Sequence, residues 1–400
     1  MKQSEEVLLE ILKHTLNGEP VTLPEDCTEV VFCAQRQKVL SLLYDALAGS
    51  LPQNLQMILD HDTRQCITQF WHLFFLTERL CRLFAENGIP VSVLKGISAA
   101  KEYPVMEYRK SGDVDLLILS KDLAEAERIL LAEGFRKSQE QKALHHMSFF
   151  SPENIEIEVH TLLAEPFDNA DANRKLEILS EETLIHSLTC SIEGTDFPMP
   201  DPVHQALSLL LHMLSHYLRA GFGLKLLTDW FCFWNVHACQ ETAEEYTDIV
   251  NTMGIGGFSD LVTSACVQYL GLREDAAPGN RMDEEICRQF IEEVFAGGEF
   301  GRDGKDRMVS LRSNSLLDYV REFHHQMHLN YPKAGNYIPA WPVLWGMTLI
   351  RFLHNNRTVR RTNTLKILKE AGRRSELNEQ IHLFEIKSDG MNSHKIRKKG

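Results

Sequence analysis

Two aspartates separated by one residue form the sharpest chemical pattern in the chain. The pattern is Ser111-Gly112-Asp113-Val114-Asp115, and a run of apolar residues follows it. On a strand, alternate side chains share a face, so both carboxylates point the same way. Two adjacent carboxylates repel each other unless a cation lies between them, and Mg²⁺ prefers carboxylate and phosphate oxygens. The pair therefore suggests a site for a metal-bound nucleotide.

Taken alone, the aspartate pair is more typical of a solvated turn than of a metal site. With 56 acidic residues in a chain of 400, about eight pairs at this spacing are expected by chance. A second pattern strengthens the chemical interpretation, because Glu156, Glu158 and His160 alternate with apolar residues. An exposed outer strand would show the same alternation. What this pattern adds is a third carboxylate, Glu158, in the same part of the chain.

A third pattern is a turn at Lys95-Gly96, between an apolar run that ends at Leu94 and a helix that starts at Ile97. Glycine lets the backbone approach a phosphate closely, and a helix N-terminus attracts anions. The turn lacks the Gly-x-x-x-x-Gly-Lys-Ser/Thr of a P-loop. By itself it is a common connection between a strand and a helix.

These patterns fall in a small mixed α/β unit inside a helical chain, which indicates an α+β fold. Strand patterns occur at 91–94, 114–119, 146–150 and 155–160, with an amphipathic helix at 123–133. We predict a helical region at 1–88, the α/β core at 89–165, a helical domain at 166–345 that forms the other wall of a cleft, and a basic segment at 346–400.

Helices are predicted on both sides of this core. A long helix covers 51–87 and ends at Asn87-Gly88, and a helix at 201–219 starts with Asp201-Pro202, a favourable cap followed by proline. Further helical patterns lie at 97–103, 224–236, 260–270, 283–295, 311–328 and 343–355, with a glycine-rich loop at 296–304. The last 25 residues or so are expected to be frayed.

Taken in this order, the patterns resemble the nucleotidyltransferase superfamily, which includes DNA polymerase beta, the CCA-adding enzymes and the aminoglycoside nucleotidyltransferases. The chain is most similar to a bacterial family described as uncharacterised nucleotidyltransferases, and the resemblance extends over about residues 50–235. The matching positions are Gly88-Ile89-Pro90-Val91, Leu94-Lys95-Gly96, Tyr103-Pro104, Arg109, Gly112 to Leu117, Ile157 to His160, His212, His216, Lys225 and Asp229.

The resemblance implies a polymerase-beta-like core and a Mg²⁺-dependent enzyme. Such an enzyme would move an NMP group, expected to be AMP from ATP, to a hydroxyl of a small molecule, a peptide or a protein. The catalytic carboxylates Asp113, Asp115 and Glu158 would hold two Mg²⁺ ions, one on the triphosphate and one on the acceptor hydroxyl. The resemblance implies that the nucleotide would contact Lys95, Gly96, Arg109, Gly112, His160, His212, Lys225 and Asp229.

The histidines leave other interpretations open. His204, Ser208, His212 and His216 recur every four residues, as expected for one polar stripe on a helix. His212 and His216 could instead bind zinc, although no glutamate follows His212 as in a zincin. A metal-dependent hydrolase built on histidines is therefore a further hypothesis.

Two other sets of polar residues also have a purely structural interpretation. Lys225 and Asp229 could form a surface i, i+4 pair rather than a nucleotide contact. A second histidine group, His324, His325 and His328, is predicted to be structural.

Charge and composition restrict the class of partner. The formal net charge is −14, yet residues 351–400 carry a net charge of +8 and the first 350 residues carry −22. An acidic body disfavours long nucleic acid. The basic segment could reverse this by binding an anionic partner, or it could pack against the acidic body.

The chain also lacks a predicted membrane span and an export signal, and its nine cysteines are scattered. We therefore expect a cytoplasmic protein with buried, unpaired cysteines. A catalytically inactive relative that binds nucleotide or a partner protein is the alternative to an enzyme.

Overall fold

A computed structural model describes residues 1–138, 146–166, 170–219, 221–298, 334–358 and 364–384, with a few positions between 320 and 331. The first six helices in chain order are α1 (Gln3–Leu16), α2 (Thr28–Arg36), α3 (Tyr44–Leu47), α4 (Gln53–Glu86), α5 (Ile97–Ala100) and α6 (Leu123–Ala132). The later helices are α7 (Ala170–Ile185), α8 (Pro202–Leu218), α9 (Leu224–Val236), α10 (Gln240–Thr252), α11 (Gly256–Ala265), α12 (Glu284–Gly297), α13 (Trp341–Thr358) and α14 (Thr364–Gln380).

The central sheet has five strands in the order β1-β2-β5-β4-β3. The strands are β1 (Val91–Val93), β2 (Asp113–Ile118), β3 (Arg136–Lys137), β4 (His146–Phe150) and β5 (Glu156–His160). Only the central pair, β2 and β5, is parallel; the other neighbours are antiparallel. The α+β fold and the four strands expected from the sequence are confirmed, and β3 is an additional short edge strand.

The long helix α4 joins two hydrophobic cores. Its first half contributes Leu55 and Leu59 to a helical core formed mainly by α1, α2 and α8 to α12. Its second half contributes Phe70 and Phe74 to a core beneath one face of the sheet. The predicted helix over 51–87 is thus confirmed, and Gly88 ends it with a φ of +70° that favours glycine.

The sequence-based expectation that only helices follow the α/β unit is wrong at one place. A hairpin of β6 (Leu188–Ile192) and β7 (Thr195–Met199) precedes α8 and packs beside β1. Its turn at Glu193-Gly194 has positive φ at both residues, which suits a tight two-residue hairpin. Each strand is only five residues long and half exposed, so its apolar pattern is weak.

Other predicted helices differ in extent. The helix expected over 97–103 is the single turn α5, since Pro104 follows closely. The helix expected over 260–270 is α11 followed by a π-helical turn, Cys266–Leu270. The glycine-rich stretch at 299–304 and most of the helix expected over 311–328 lie outside the described residues.

The end of the described chain is packed rather than frayed. Leu377, Ile381 and Leu383 are buried in the helical core, and Phe384 donates its backbone N–H to the carbonyl of Gly254 at 2.7 Å. The expectation of fraying is therefore wrong up to residue 384, because apolar side chains at this end find partners that are distant in sequence. Residues 385–400 lie outside the described part.

No described helix is long and apolar enough to cross a bilayer. The nine cysteines are free, and most are buried, as the sequence predicts. The chain divisions proposed at residues 88, 165 and 345 stay predictions.

Candidate active site

The carboxylates lie on two adjacent parallel strands. The register of β2 and β5 places Asp113 opposite Glu156 and Asp115 opposite Glu158. The apolar residues between them, including Val114 and Ile157, belong to the core shared with α4. Strand alternation therefore turns the carboxylates to the other face of the sheet.

Asp115 is the buried centre of this face. Lys95 Nζ lies 2.6 Å from Asp115 Oδ1, and His160 Nε2 lies 2.8 Å from the same oxygen. His160 Nε2 is also 3.2 Å from Glu158 Oε2. Burial disfavours the charged form of Asp115, but the Lys95 ammonium and the His160 hydrogen bond outweigh burial and hold its pKa well below the usual range.

Asp113 has the opposite electrostatic character. Burial and the neighbouring charge of Asp115 raise the pKa of Asp113, and the charges of Lys95 and Lys225 oppose this only in part. Glu158 behaves more like Asp115, since the hydrogen bond from His160 lowers its pKa against the effect of burial. The nearby cations therefore offset the repulsion between Asp113 and Asp115 only in part.

The turn after β1 positions Lys95. Gly96 has a φ of +59°, which a residue with a side chain rarely adopts. A Cβ at this position would contact the carbonyl oxygen of Asp113 at 3.6 Å. The Leu94 N–H donates to the carbonyl of Asp115 at 3.1 Å, so the turn is tied directly to β2.

Arg109 and Asp229 form a buried ion pair behind this turn. Arg109 donates from Nε and Nη2 to the two carboxylate oxygens of Asp229 at 2.6 and 2.8 Å. Tyr103 donates its hydroxyl to the same carboxylate at 2.7 Å. Arg109 Nη1 also donates to the carbonyl of Gly96 at 3.2 Å. This arrangement supports the Lys95-Gly96 turn from below.

This buried ion pair shows that one interpretation of the sequence, a surface pair of Lys225 and Asp229, is wrong. Asp229 is not a surface partner of Lys225, because its side chain is 2% exposed and its partner is Arg109. The spacing of four residues on α9 favoured Lys225, but the closer guanidinium comes from a loop 120 positions earlier. Lys225 is half-buried at the start of α9, and its charge lowers the pKa of Asp113.

Gly112, directly before β2, has open space where a side chain would start. A ligand can therefore approach the backbone at this point.

Helix α8 carries its polar stripe towards the carboxylates. His212 Nδ1 lies 3.4 Å from Lys95 Nζ, and the rings of His212 and His216 meet edge to face at 4.5 Å. Burial and the charge of Lys95 lower the pKa of His212 well below its usual value and that of His216 to about 4. Both imidazoles are therefore neutral near pH 7.

Further along the same stripe, His204 has a structural contact. His204 donates from Nδ1 to Asp201 Oδ2 at 2.8 Å, and its ring stacks on that of His186. In the second histidine group, His324 bonds to His328 and accepts from the Trp345 indole. These contacts agree with the structural role predicted for this group; His325 lies outside the described residues.

His146 is a neighbour of the site that the sequence analysis did not single out. The antiparallel register of β4 and β5 places His146 opposite His160, with ring centroids 5.2 Å apart. Its Nε2 lies 3.9 Å from Glu158 Oε1. Its position at the start of a strand was visible in the sequence, but the strand pairing that brings it here was not.

The donor atoms fit a divalent cation. Within the described residues, one group of metal-ligating side chains is found, namely Asp115, Glu158 and His160, with ligand atoms all within 4.8 Å of one another. Carboxylate oxygens suit Mg²⁺ or Mn²⁺, whereas an imidazole nitrogen suits softer ions such as Zn²⁺. The alternative zinc ligands, His212 and His216, are not part of such a group among these residues.

Comparison with known proteins gives a family and a distant structural likeness. A family model described as uncharacterised nucleotidyltransferase matches residues 24–271. A solved structure of an antigenic nucleotidyltransferase-like protein from Paracoccidioides brasiliensis is 15% identical, with a TM-score of 0.31 over 50% of this chain and 93% of that chain. None of the curated proteins matches the chain.

Proposed function

The chain belongs to the uncharacterised nucleotidyltransferase family, and we propose that it transfers an NMP group from an NTP to a hydroxyl of an acceptor. The observation that carries the proposal is the cluster on β2 and β5, where Asp113, Asp115 and Glu158 share one face next to the Lys95 ammonium. A fold that needed only structural polar groups would gain little from so many buried carboxylates, because burying charge is costly.

The three carboxylates are the proposed ligands of the divalent metal ion, with His160 orienting Asp115 and Glu158 through its Nε2 hydrogen bonds. We assign magnesium as the metal, in two ions. When bound, the metal would neutralise triphosphate charge and lower the pKa of the acceptor hydroxyl. The protein's own contribution is to fix the carboxylates on rigid strands, which suits positioning and electrostatic catalysis.

The transfer forms one bond and breaks one bond at the α-phosphorus of the NTP. The acceptor oxygen forms a bond to this phosphorus, the bond to the β-phosphate oxygen breaks, and pyrophosphate leaves while the hydroxyl proton is released to solvent. Lys95, Gly112 and Lys225 border the carboxylate face, and we assign them to the phosphates. The turn that holds Lys95 contains Gly96 and is supported by the Arg109–Asp229 pair. The side chains of His160 and His212 lie beside the Lys95 ammonium and its partner Asp115.

We expect ATP as the donor, and a small molecule, a peptide or a protein side chain as the acceptor. The acidic body of the chain disfavours a long nucleic acid as acceptor. Two basic residues of the C-terminal segment already pair with the body, since Arg373 contacts Glu292 at 3.3 Å and Arg374 lies 3.8 Å from Glu293.

The test is nucleotide-dependent stabilisation of the folded chain. We expect one NTP to raise the unfolding temperature only with Mg²⁺, because a ligand at a hundredfold excess over its Kd stabilises by about 2.7 kcal/mol. The double variant Asp113→Asn, Asp115→Asn should lose the shift. Asp196→Asn, an exposed carboxylate on β7, is the matched control and should keep it.

Each outcome decides between hypotheses. No shift with ATP, CTP, GTP or UTP would contradict the proposal. A Mg²⁺-dependent shift without any pyrophosphate release in the presence of cell-extract metabolites and peptides would favour the alternative, an inactive nucleotide-binding relative.

A further inference from the structure

The Lys95 ammonium lies directly on the carboxylate face. Its ammonium is 2.6 Å from Asp115 Oδ1, and the two side chains are 13% and 2% exposed. Asp115, Glu158 and Asp113 all attract this ammonium. Within the described part of the chain, Lys95 is the lysine bonded to the group that also offers the metal-ligand atoms.

Lys95 and a metal ion would compete for the same carboxylate oxygen. Asp115 Oδ1 already faces both Lys95 Nζ and His160 Nε2. A divalent ion binds a carboxylate oxygen at about 2.0–2.1 Å, and an ammonium on that oxygen would then repel it strongly inside a buried site. A metal ion that binds this oxygen would therefore favour departure of the ammonium.

The surroundings give Lys95 a way to leave. Its flexible four-carbon chain starts from the Gly96 turn, whereas the carboxylates are fixed on strands. Its second contact is a long one, 3.4 Å to His212 Nδ1, and the neutral imidazole there does not hold it by charge.

We propose that Lys95 is an internal counter-ion of the carboxylate cluster, which a divalent metal ion displaces and which then contacts the triphosphate. The inference rests on the proposed function, because it assigns an order to the binding steps of the same site. It gives the buried carboxylates a positive counter-charge before a metal ion binds. It also makes metal binding weak until a triphosphate is present to receive the lysine.

The first experiment measures Mn²⁺ binding from the electron paramagnetic resonance signal of the free ion. We expect Lys95→Met to bind Mn²⁺ at least about tenfold more tightly than wild type without nucleotide, since the competitor is gone. The same variant should bind ATP more weakly in saturating Mn²⁺. Lys110→Met is the matched control, because Lys110 pairs at 2.7 Å with Asp62, which is not one of the three carboxylates of the cluster; its Mn²⁺ affinity should equal that of wild type.

The second experiment uses the wild-type chain and does not depend on a variant that folds. Brief acetylation with a water-soluble amine reagent, followed by mass spectrometry, reports how accessible each lysine is. We expect Lys95 to be protected without metal, modified with Mn²⁺ and protected again with Mn²⁺ and ATP. Lys110 should give one unchanged level in all three states.

The results separate the inference from the proposed function. Equal or weaker Mn²⁺ binding by Lys95→Met, or constant acetylation of Lys95, would overturn the counter-ion role. If wild type nevertheless binds Mn²⁺ and Asp115→Asn does not, the proposed function stands. Absence of Mn²⁺ binding in every protein, with and without ATP, would overturn both.

Discussion

The Arg109–Asp229 ion pair stabilises the turn that positions Lys95, although neither residue lies among the carboxylates of the proposed metal site. Both side chains are almost fully buried, and two hydrogen bonds join them. Tyr103 adds a third bond to Asp229, and Arg109 reaches the carbonyl of Gly96. A buried pair of this kind contributes little net stability, but removal of one partner leaves an uncompensated charge.

We therefore predict that Asp229→Ala lowers the free energy of unfolding by about 3–5 kcal/mol. The measurement is urea unfolding followed by circular dichroism. Glu125→Ala is the control, since it breaks the exposed pair with Arg128 on α6, and its cost should be far smaller because exposed ion pairs contribute little to stability. Similar costs for both variants would show that the buried charge is compensated in another way.

At the scale of elements, the start of α8 is defined by a local signal. Asp201 accepts the backbone N–H of His204 at 3.0 Å, and Pro202 occupies the first helical position. The cap satisfies one of the N–H groups that every helix leaves open at this end. Because α8 carries His212 towards the carboxylates, its start helps to set that wall of the site.

Removal of this cap by Asp201→Ala should cost about 1 kcal/mol of stability. Thermal or urea unfolding measures it. Asp275→Ala is the comparison, because Asp275 is 77% exposed and has only a loose contact with Arg273 at 3.7 Å. If Asp201→Ala is as mild as Asp275→Ala, packing of α8 rather than its cap determines the boundary.

At the scale of the molecule, the C-terminal segment is part of the helical core. Ile381 lies so close to α11 that a Cβ on Gly257 would meet its carbonyl oxygen at 1.8 Å. Arg374 is buried, bonds to the carbonyl of Tyr217 and reaches that of Arg219 at 3.3 Å, at the end of α8. The segment from α14 to Phe384 thus closes the helical core around the end of α8.

Gly257→Ala should therefore destabilise the protein and speed protease cleavage of the C-terminal segment. The direction of the stability change distinguishes the two cases, because alanine without a clash stabilises a helix by about 0.8–1.0 kcal/mol relative to glycine. Limited proteolysis and thermal unfolding give the two readouts. Gly346→Ala on α13, where nothing lies within 4 Å, should be neutral or stabilising; the same result for Gly257→Ala would contradict the close packing.

Sequence alone determined the local geometry of the carboxylate face. Apolar and polar residues alternate in 113–117 and 156–160, which assigns Asp113, Asp115 and Glu158 to one face of their strands. Apolar residues at helical spacing likewise identify the long helix α4. These inferences succeed because side-chain direction follows from the backbone repeat of a single element. The cap at Asp201 is readable for the same reason.

Only the tertiary structure decided which of these groups meet. The parallel register places Asp115 beside Glu158, Arg109 rather than Lys225 pairs with Asp229, and the ammonium of Lys95 lies on Asp115 instead of pointing to open space. The hairpin β6–β7 and the packed C-terminal end likewise depend on distant partners. Spacing along a chain describes one element at a time, whereas the partner of a buried charge is chosen by how several elements pack together.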